Sequence, residues 1–156
     1  MIKYRIIKYN PAFRDATGAF RRDEWISAGD IGESFAGVTL TRAEYERVEH
    51  AYVSTALAFL RESGLTSLRV EGLENTRGLQ LTFAEGTVLP LEEMGDVIAR
   101  NLREEFCCRL ESDTGFIHVG WDYYMYVGVP NPCPAAEAQA AALGLYVEEF
   151  TSPYRP

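Results

Sequence analysis

The run from Phe116 to Val129, FIHVGWDYYMYVGV, constrains the fold more than any other stretch. It is the densest concentration of aromatic and β-branched residues in the chain, the composition that suits a pleated, half-buried surface. Successive side chains of a strand alternate across the sheet. Ile117, Val119, Trp121, Tyr123, Met125, Val127 and Val129 therefore share one face, and Phe116, His118, Asp122, Tyr124 and Tyr126 the other. The first face is plain core. The second is aromatic but carries an acid, an imidazole and phenol hydroxyls. Gly120 permits a turn at Gly120-Trp121-Asp122 that would make the run a hairpin, and a bulge there would shift the parity after it. In either case the aromatic density puts both halves in the middle of a sheet.

A chain of 156 residues can bury roughly two-thirds of its unfolded surface, enough for one domain with an unaided core. Its apolar and charged fractions are ordinary for a globular protein and argue against disorder. No run of about 18 apolar residues is present, so no membrane span is expected. Met1-Ile2-Lys3-Tyr4-Arg5 has charges inside its only apolar segment and does not read as a signal peptide; a cytoplasmic protein is expected. Three cysteines, two of them adjacent (Cys107, Cys108) and one alone (Cys133), fit no disulfide framework. The net charge of −8 is uneven, since residues 1–22 hold six basic residues against one acid. The acidic remainder disfavours nucleic-acid backbones, whose binding needs Lys and Arg. It favours solubility and a basic partner.

Along the chain, Ile2 to Tyr9 reads as a strand ended by Pro11, and residues 10–22 as a loop. Ser27 to Phe35 reads as a short helix or turn. Thr41 to Glu62 is a helix: Thr41 and Glu44 have capping-box spacing, and Tyr45, Val48, Tyr52, Ala56, Phe59 and Leu60 form one apolar stripe. Glu46, Glu49 and His50 are expected off that stripe, in solvent. Thr66–Leu73 and Leu79–Phe83 read as a hairpin, followed by a short extended piece, Thr87–Leu89. Leu91 to Phe106 reads as a second helix, started by Pro90 and lined inward by Leu91, Met94, Ile98, Leu102 and Phe106. Cys107 to Glu111 begins a strand that turns at Ser112–Gly115 into the central run. After the proline-rich connection 130–134, Ala135 to Leu143 is helical, and Leu145 to Phe150 is a last strand. The expected fold is α+β, a single domain with a mainly antiparallel sheet and two or three helices packed on it.

Chemistry-bearing patterns are sparse. A thiol–imidazole–carboxylate set of Cys107 or Cys108 with His118 and Asp122 has the residue types for nucleophilic catalysis, but the cysteines sit in no nucleophile motif and buried thiols are inert. His50 and His118 lack any paired-ligand spacing, so no metal is expected. The glycines at 29, 32 and 37 fit neither a phosphate loop nor a dinucleotide fingerprint, and no cofactor is expected. Trp121, Tyr123, Tyr124 and Tyr126 lie together and suit a protein interface, because tyrosine and tryptophan bury large area at small entropic loss. Large aromatics in strands are core beneath helices more often than they are hot spots, with their hydroxyls reaching the surface.

The pieces Asp23-Glu24-Trp25, Asp30-Ile31-Gly32, the helix bearing Tyr45, Glu49 and Tyr52, the run Gly120–Tyr126, and Gly144-Leu145-Tyr146-Val147-Glu148 resemble a family of small, uncharacterised bacterial proteins. More loosely, they resemble the acidic cytosolic immunity proteins of polymorphic-toxin and contact-dependent inhibition systems. Those proteins share size and charge rather than a motif, so the resemblance assigns no functional residue. It implies a non-enzymatic inhibitor that binds a cognate toxin domain, with no nucleic-acid or membrane partner. Glu33, Glu46, Glu49, Asp122, Tyr124 and Tyr126 are the groups expected to meet it. The alternative expectation is a small-molecule-binding domain or enzyme using His118 and Asp122, in which those groups converge on a pocket.

Overall fold

The computed structural model describes residues 1–155. In it the central run is broken into two strands, and the chain in order is β1 (Ile2–Ile7), β2 (Ser34–Phe35), β3 (Val38–Thr39), α1 (Arg42–Glu62), β4 (Ser67–Glu74), β5 (Val88–Pro90), α2 (Leu91–Leu102), β6 (Cys107–Glu111), β7 (Phe116–Val119), β8 (Met125–Val129), α3 (Pro134–Ala142) and β9 (Tyr146–Glu149). Seven strands form one sheet in the order β5-β4-β6-β7-β8-β1-β9, and β2 with β3 forms a small hairpin. Every pairing is antiparallel. The fold is α+β, as the alternation of helical and strand periods requires. No helix among the described residues is long and apolar enough to cross a membrane.

Local chemistry explains the helices. Thr41 accepts a hydrogen bond from the Glu44 backbone N–H at 3.1 Å, which starts α1. The whole expected stripe of α1 is buried. Pro90 precedes α2, whose Met94, Ile98 and Leu102 are buried, but the helix ends at Leu102 rather than Phe106. Glu104 adopts a left-handed backbone (φ 58°) that a helix cannot continue through. Phe106 still reaches the core from the following loop, edge-on to Phe83 at 5.3 Å. α3 begins on Pro134 and is capped from a distance, because the Glu62 carboxylate accepts from the backbone N–H groups of Ala135 and Ala136.

Three sequence expectations are corrected. Leu79–Phe83 is not a strand. β4 pairs with β5 over Ser67–Arg69, and at the bulge beyond, the Glu85 carboxylate takes the Gly72 and Leu73 N–H groups at 3.0 and 2.7 Å. A side chain thus satisfies the donors that a second hairpin strand would have used. The region read as a helix or turn over 27–35 contains only a short turn at Ala28–Asp30 before the β2–β3 hairpin. The central run turns back on itself, with Val119 opposite Met125 and His118 opposite Tyr126. The odd number of residues in that turn preserves the alternation of the two strands, but Trp121, expected on the core face, lies in the turn and is 83% exposed.

The helices cover one face of the sheet, where Ile6, Leu68, Val70, Leu110, Ile117, Met125, Val127 and Val129 are buried with α1 and α2 side chains in one core. No helix covers the other face. Residues 150–155 lie across it instead, which is why Tyr126 is only 7% exposed and His118 is fully buried.

Candidate functional site

The turn between β7 and β8 is closed by the Gly120 N–H donating to the Tyr124 carbonyl at 2.7 Å. Asp122 and Tyr123 both adopt left-handed backbone, with φ of 59° and 62°. For residues other than glycine this conformation stores strain, of order 1–3 kcal/mol each, that the surroundings must hold in place. The holding group is the Tyr123 ring. It is buried, packs edge-on against Tyr52 with centroids 4.9 Å apart, and donates its hydroxyl to Tyr45 at 3.1 Å. Tyr45 in turn donates to Glu49 at 2.8 Å, and Glu49 accepts both arms of Arg103. Burial raises the Tyr45 and Tyr123 hydroxyl pKa values far above the phenol range, so both remain donors at any physiological pH. With Tyr123 driven inward, the two residues before it are driven outward. Trp121 is 83% exposed and Asp122 is exposed beside it.

These two residues stand at the mouth of a cleft of about 930 Å³ at the end of the sheet. The end of α2, the start of β6, the β4 bulge, the loop from Trp25 to Asp30 and the β7–β8 turn enclose it. Trp25, 40% exposed, contributes a second indole. Asp30, Glu74, Glu104 and Asp122 bring four carboxylates against the single guanidinium of Arg109. That guanidinium lies against Gly72, where an added Cβ would meet it at 3.3 Å, and Gly72 also needs its positive φ of 63°. The positive φ is what favours glycine there, since the guanidinium could shift by a few tenths of an ångström.

The sequence-derived contact residues do not gather into one patch. Asp122 is in the cleft. Glu33 and Glu46 are exposed but outside it. Tyr124 is half-buried, with its ring 5.4 Å from the Arg5 guanidinium. Two expectations are corrected. Glu49 is 6% exposed rather than solvated, because it lies one turn from Tyr45 on the buried side of α1 and is matched by Arg103. Tyr126 is roofed by Phe150 and Tyr154, its ring centroid 6.1 Å from each of theirs.

His118 does not meet Asp122 or a cysteine. Its Nδ1 lies 2.7 Å from Ser152 Oγ and its Nε2 2.6 Å from Glu111 Oε1, while its ring stacks on Phe116 at 4.3 Å. Burial lowers its pKa below the ordinary imidazole value, and the Glu111 carboxylate opposes that only in part. The neutral ring therefore donates from Nε2 to Glu111 and accepts the Ser152 hydroxyl at Nδ1. Hydroxyl, imidazole and carboxylate are in sequence, but Ser152 and His118 are sealed from solvent, so no acyl group reaches Oγ. The thiols are no better placed. Burial raises Cys108 to about 12 and also lifts Cys107, so neither is a thiolate near neutrality. Among the described residues no group of three His, Cys, Asp or Glu is arranged to hold a metal ion.

The sequence reading missed Trp25, Arg109 and Glu104 as cleft residues, and Glu111, Ser152 and Arg155 as partners of the buried histidine. Arg109 was open to detection, since it alternates with Cys108 and Leu110 and so must face away from the core. Comparison with protein-family models, curated proteins and solved structures finds no match for this chain.

Proposed function

We propose that this chain is an immunity-type protein that binds a cognate bacterial toxin domain in the cytoplasm and neutralises it by occupying a basic region of its surface. The observation that carries this reading is Trp121, a largely exposed indole at the mouth of an acid-lined cleft, on a turn held from behind by Tyr123. A large aromatic on a fixed support loses little entropy on binding and buries much area, the properties of interface hot spots. A partner's Arg or Lys seated on that indole gains a cation–π contact, with Asp122 and the cleft carboxylates beside it.

Charge complementarity supports the same partner. Glu33 and Glu46, exposed outside the cleft, add to the negative charge a basic surface meets, and the net charge of −8 speeds encounter with such a surface while repelling phosphate backbones. The reading requires no cofactor. The alternative, an enzyme or small-molecule site built on His118 and Asp122, gains no support, because His118 has both ring nitrogens engaged beneath residues 150–155.

Natively expressed together with the products of its neighbouring genes, the chain is expected to co-purify one-to-one with a basic toxin domain and to suppress that domain's activity. Purification that recovers no such domain sinks the reading.

A further inference from the structure

The helix-free face of the sheet carries a row of polar side chains in register. Arg109 lies opposite His118, His118 opposite Tyr126, Tyr126 opposite Arg5, and Arg5 opposite Glu148, so five adjacent strands contribute to one line. Residues 150–155 cross the strands over this row. Phe150 lies under the Arg5 guanidinium at 4.0 Å. Ser152, fully buried, bonds His118. Tyr154 meets His118 edge-on at 5.7 Å, and its hydroxyl would lie 3.1 Å from a Cβ on Gly120. Arg155 donates to Glu111 and to the Ser112 carbonyl at 2.8 and 2.9 Å, and its own carbonyl accepts from Lys3 at 3.2 Å.

We infer that residues 150–155 form a proton-gated latch, closed over the sheet while His118 is neutral and released when His118 takes a proton, with the helices still folded. The inference stands apart from the toxin-binding reading, although Tyr154 also lines the cleft, so release removes one of its walls.

The geometry gives the gate its direction. In the closed latch the Ser152 hydroxyl has one proton, which goes to His118 Nδ1, and its oxygen also accepts from the Tyr154 backbone N–H at 3.2 Å. A protonated ring donates from Nδ1 as well, so the Ser152 oxygen must turn to accept and its own proton loses the ring as acceptor in a place closed to water. Charge acts both ways: the Glu111 carboxylate favours an imidazolium, the Arg109 and Arg155 guanidinium groups oppose it, and burial outweighs the carboxylate. Glu111 from β6 and Arg155 from the latch already form a pair at 2.8 Å. Arg109, also from β6, stands next to the ring in the row, while Tyr126 from β8 and Tyr154 from the latch present neutral rings. An imidazolium there adds a third cation around one carboxylate. Burial lowers the pKa of the latched ring, and a released ring regains its ordinary value of about 6.5. Protons therefore bind the released form more tightly. Closure is complete above that value and weakens as pH falls below it.

Hydrogen exchange of the intact protein, corrected for intrinsic rates, tests this across pH 8 to 5. Amides of residues 150–155 are expected to lose protection below about pH 6.5, by up to about tenfold per pH unit, while α1 amides keep theirs. H118Q, which has no proton to accept, is expected to remove that pH dependence. S152A is expected to release the segment already at pH 8, and it keeps the inference testable if H118Q does not fold. Protection that is constant from pH 8 to 5, an S152A segment protected like the wild type, or loss that always accompanies α1 would each overturn the latch.

Discussion

Tyr123 reaches from the tip of the β7–β8 turn into the protein and donates its hydroxyl to Tyr45 of α1 at 3.1 Å. This contact ties the turn that bears the most exposed indole of the chain, Trp121, to its longest helix, with Tyr123 buried and Trp121 83% exposed two positions before it. The left-handed backbone at Asp122 and Tyr123 persists because of it. Y123F leaves the ring packed but removes the donor to Tyr45. It is expected to lower stability by about 0.5–1.5 kcal/mol, read in urea unfolding. Y123A, which also empties the ring's site, should lose about 3–5 kcal/mol.

Glu148 binds two guanidinium groups, Arg14 at 2.5 and 2.9 Å and Arg5 at 3.0 and 3.1 Å. The Arg14 hydrogen bond is the chief cause of its lowered pKa. A depressed carboxylate contributes its stability above the ordinary value of 4.5, and that contribution is lost as pH falls through the folded value below it. E148Q is therefore expected to be less stable than wild type at pH 7 and to show a shallower loss on acidification below pH 4.5, measured by urea midpoints at stepped pH.

Gly128 lies opposite Phe116 in the sheet, and a Cβ added there would stand 2.3 Å from the Phe116 ring. Phe116 is fully buried and stacks on His118, so it has nowhere to move without disturbing the latch. G128A should cost about 1–3 kcal/mol by overpacking, and thermal unfolding should show it as a fall of several degrees in Tm.

Among the three cysteines only Cys107 is exposed, and its thiol pKa is raised by burial, with Glu74 and Glu104 adding to it. Native protein should react at one thiol with a maleimide or an aromatic disulfide. The reaction should be slower than for a free cysteine at pH 7 and should accelerate above pH 9. Cys108 and Cys133 should label only in denaturant.

Features set by neighbours in the chain were legible in advance. The Thr41 cap, the stripe from Tyr45 to Leu60, and the alternation of the strands Phe116–Val119 and Met125–Val129 all follow from short-range spacing, and the alternation of those strands survived because an odd-length turn restores parity, whereas Trp121, in the turn, left the core face it was expected to share. What failed depended on distant partners. Glu49 was assigned to solvent because it is charged, yet Arg103, 54 residues away, makes its burial tolerable. Leu79, Leu81 and Phe83 alternate like a strand, but Glu85 occupies the backbone donors they would have paired with. Nothing local in Ser152 announces a buried histidine thirty-four residues back. The cleft shares that limit, since Trp25, Arg109 and Glu104 meet only through the sheet order.

The docking account rests on Trp121 and is tested most directly by the affinity of the purified chain for its co-purified basic partner, compared across two variants. W121A should weaken binding by about 2 kcal/mol or more, roughly thirtyfold, while E92Q, exposed at the start of α2 and outside the cleft, should bind within about twofold of wild type. A W121A chain that binds as tightly as wild type would contradict the account.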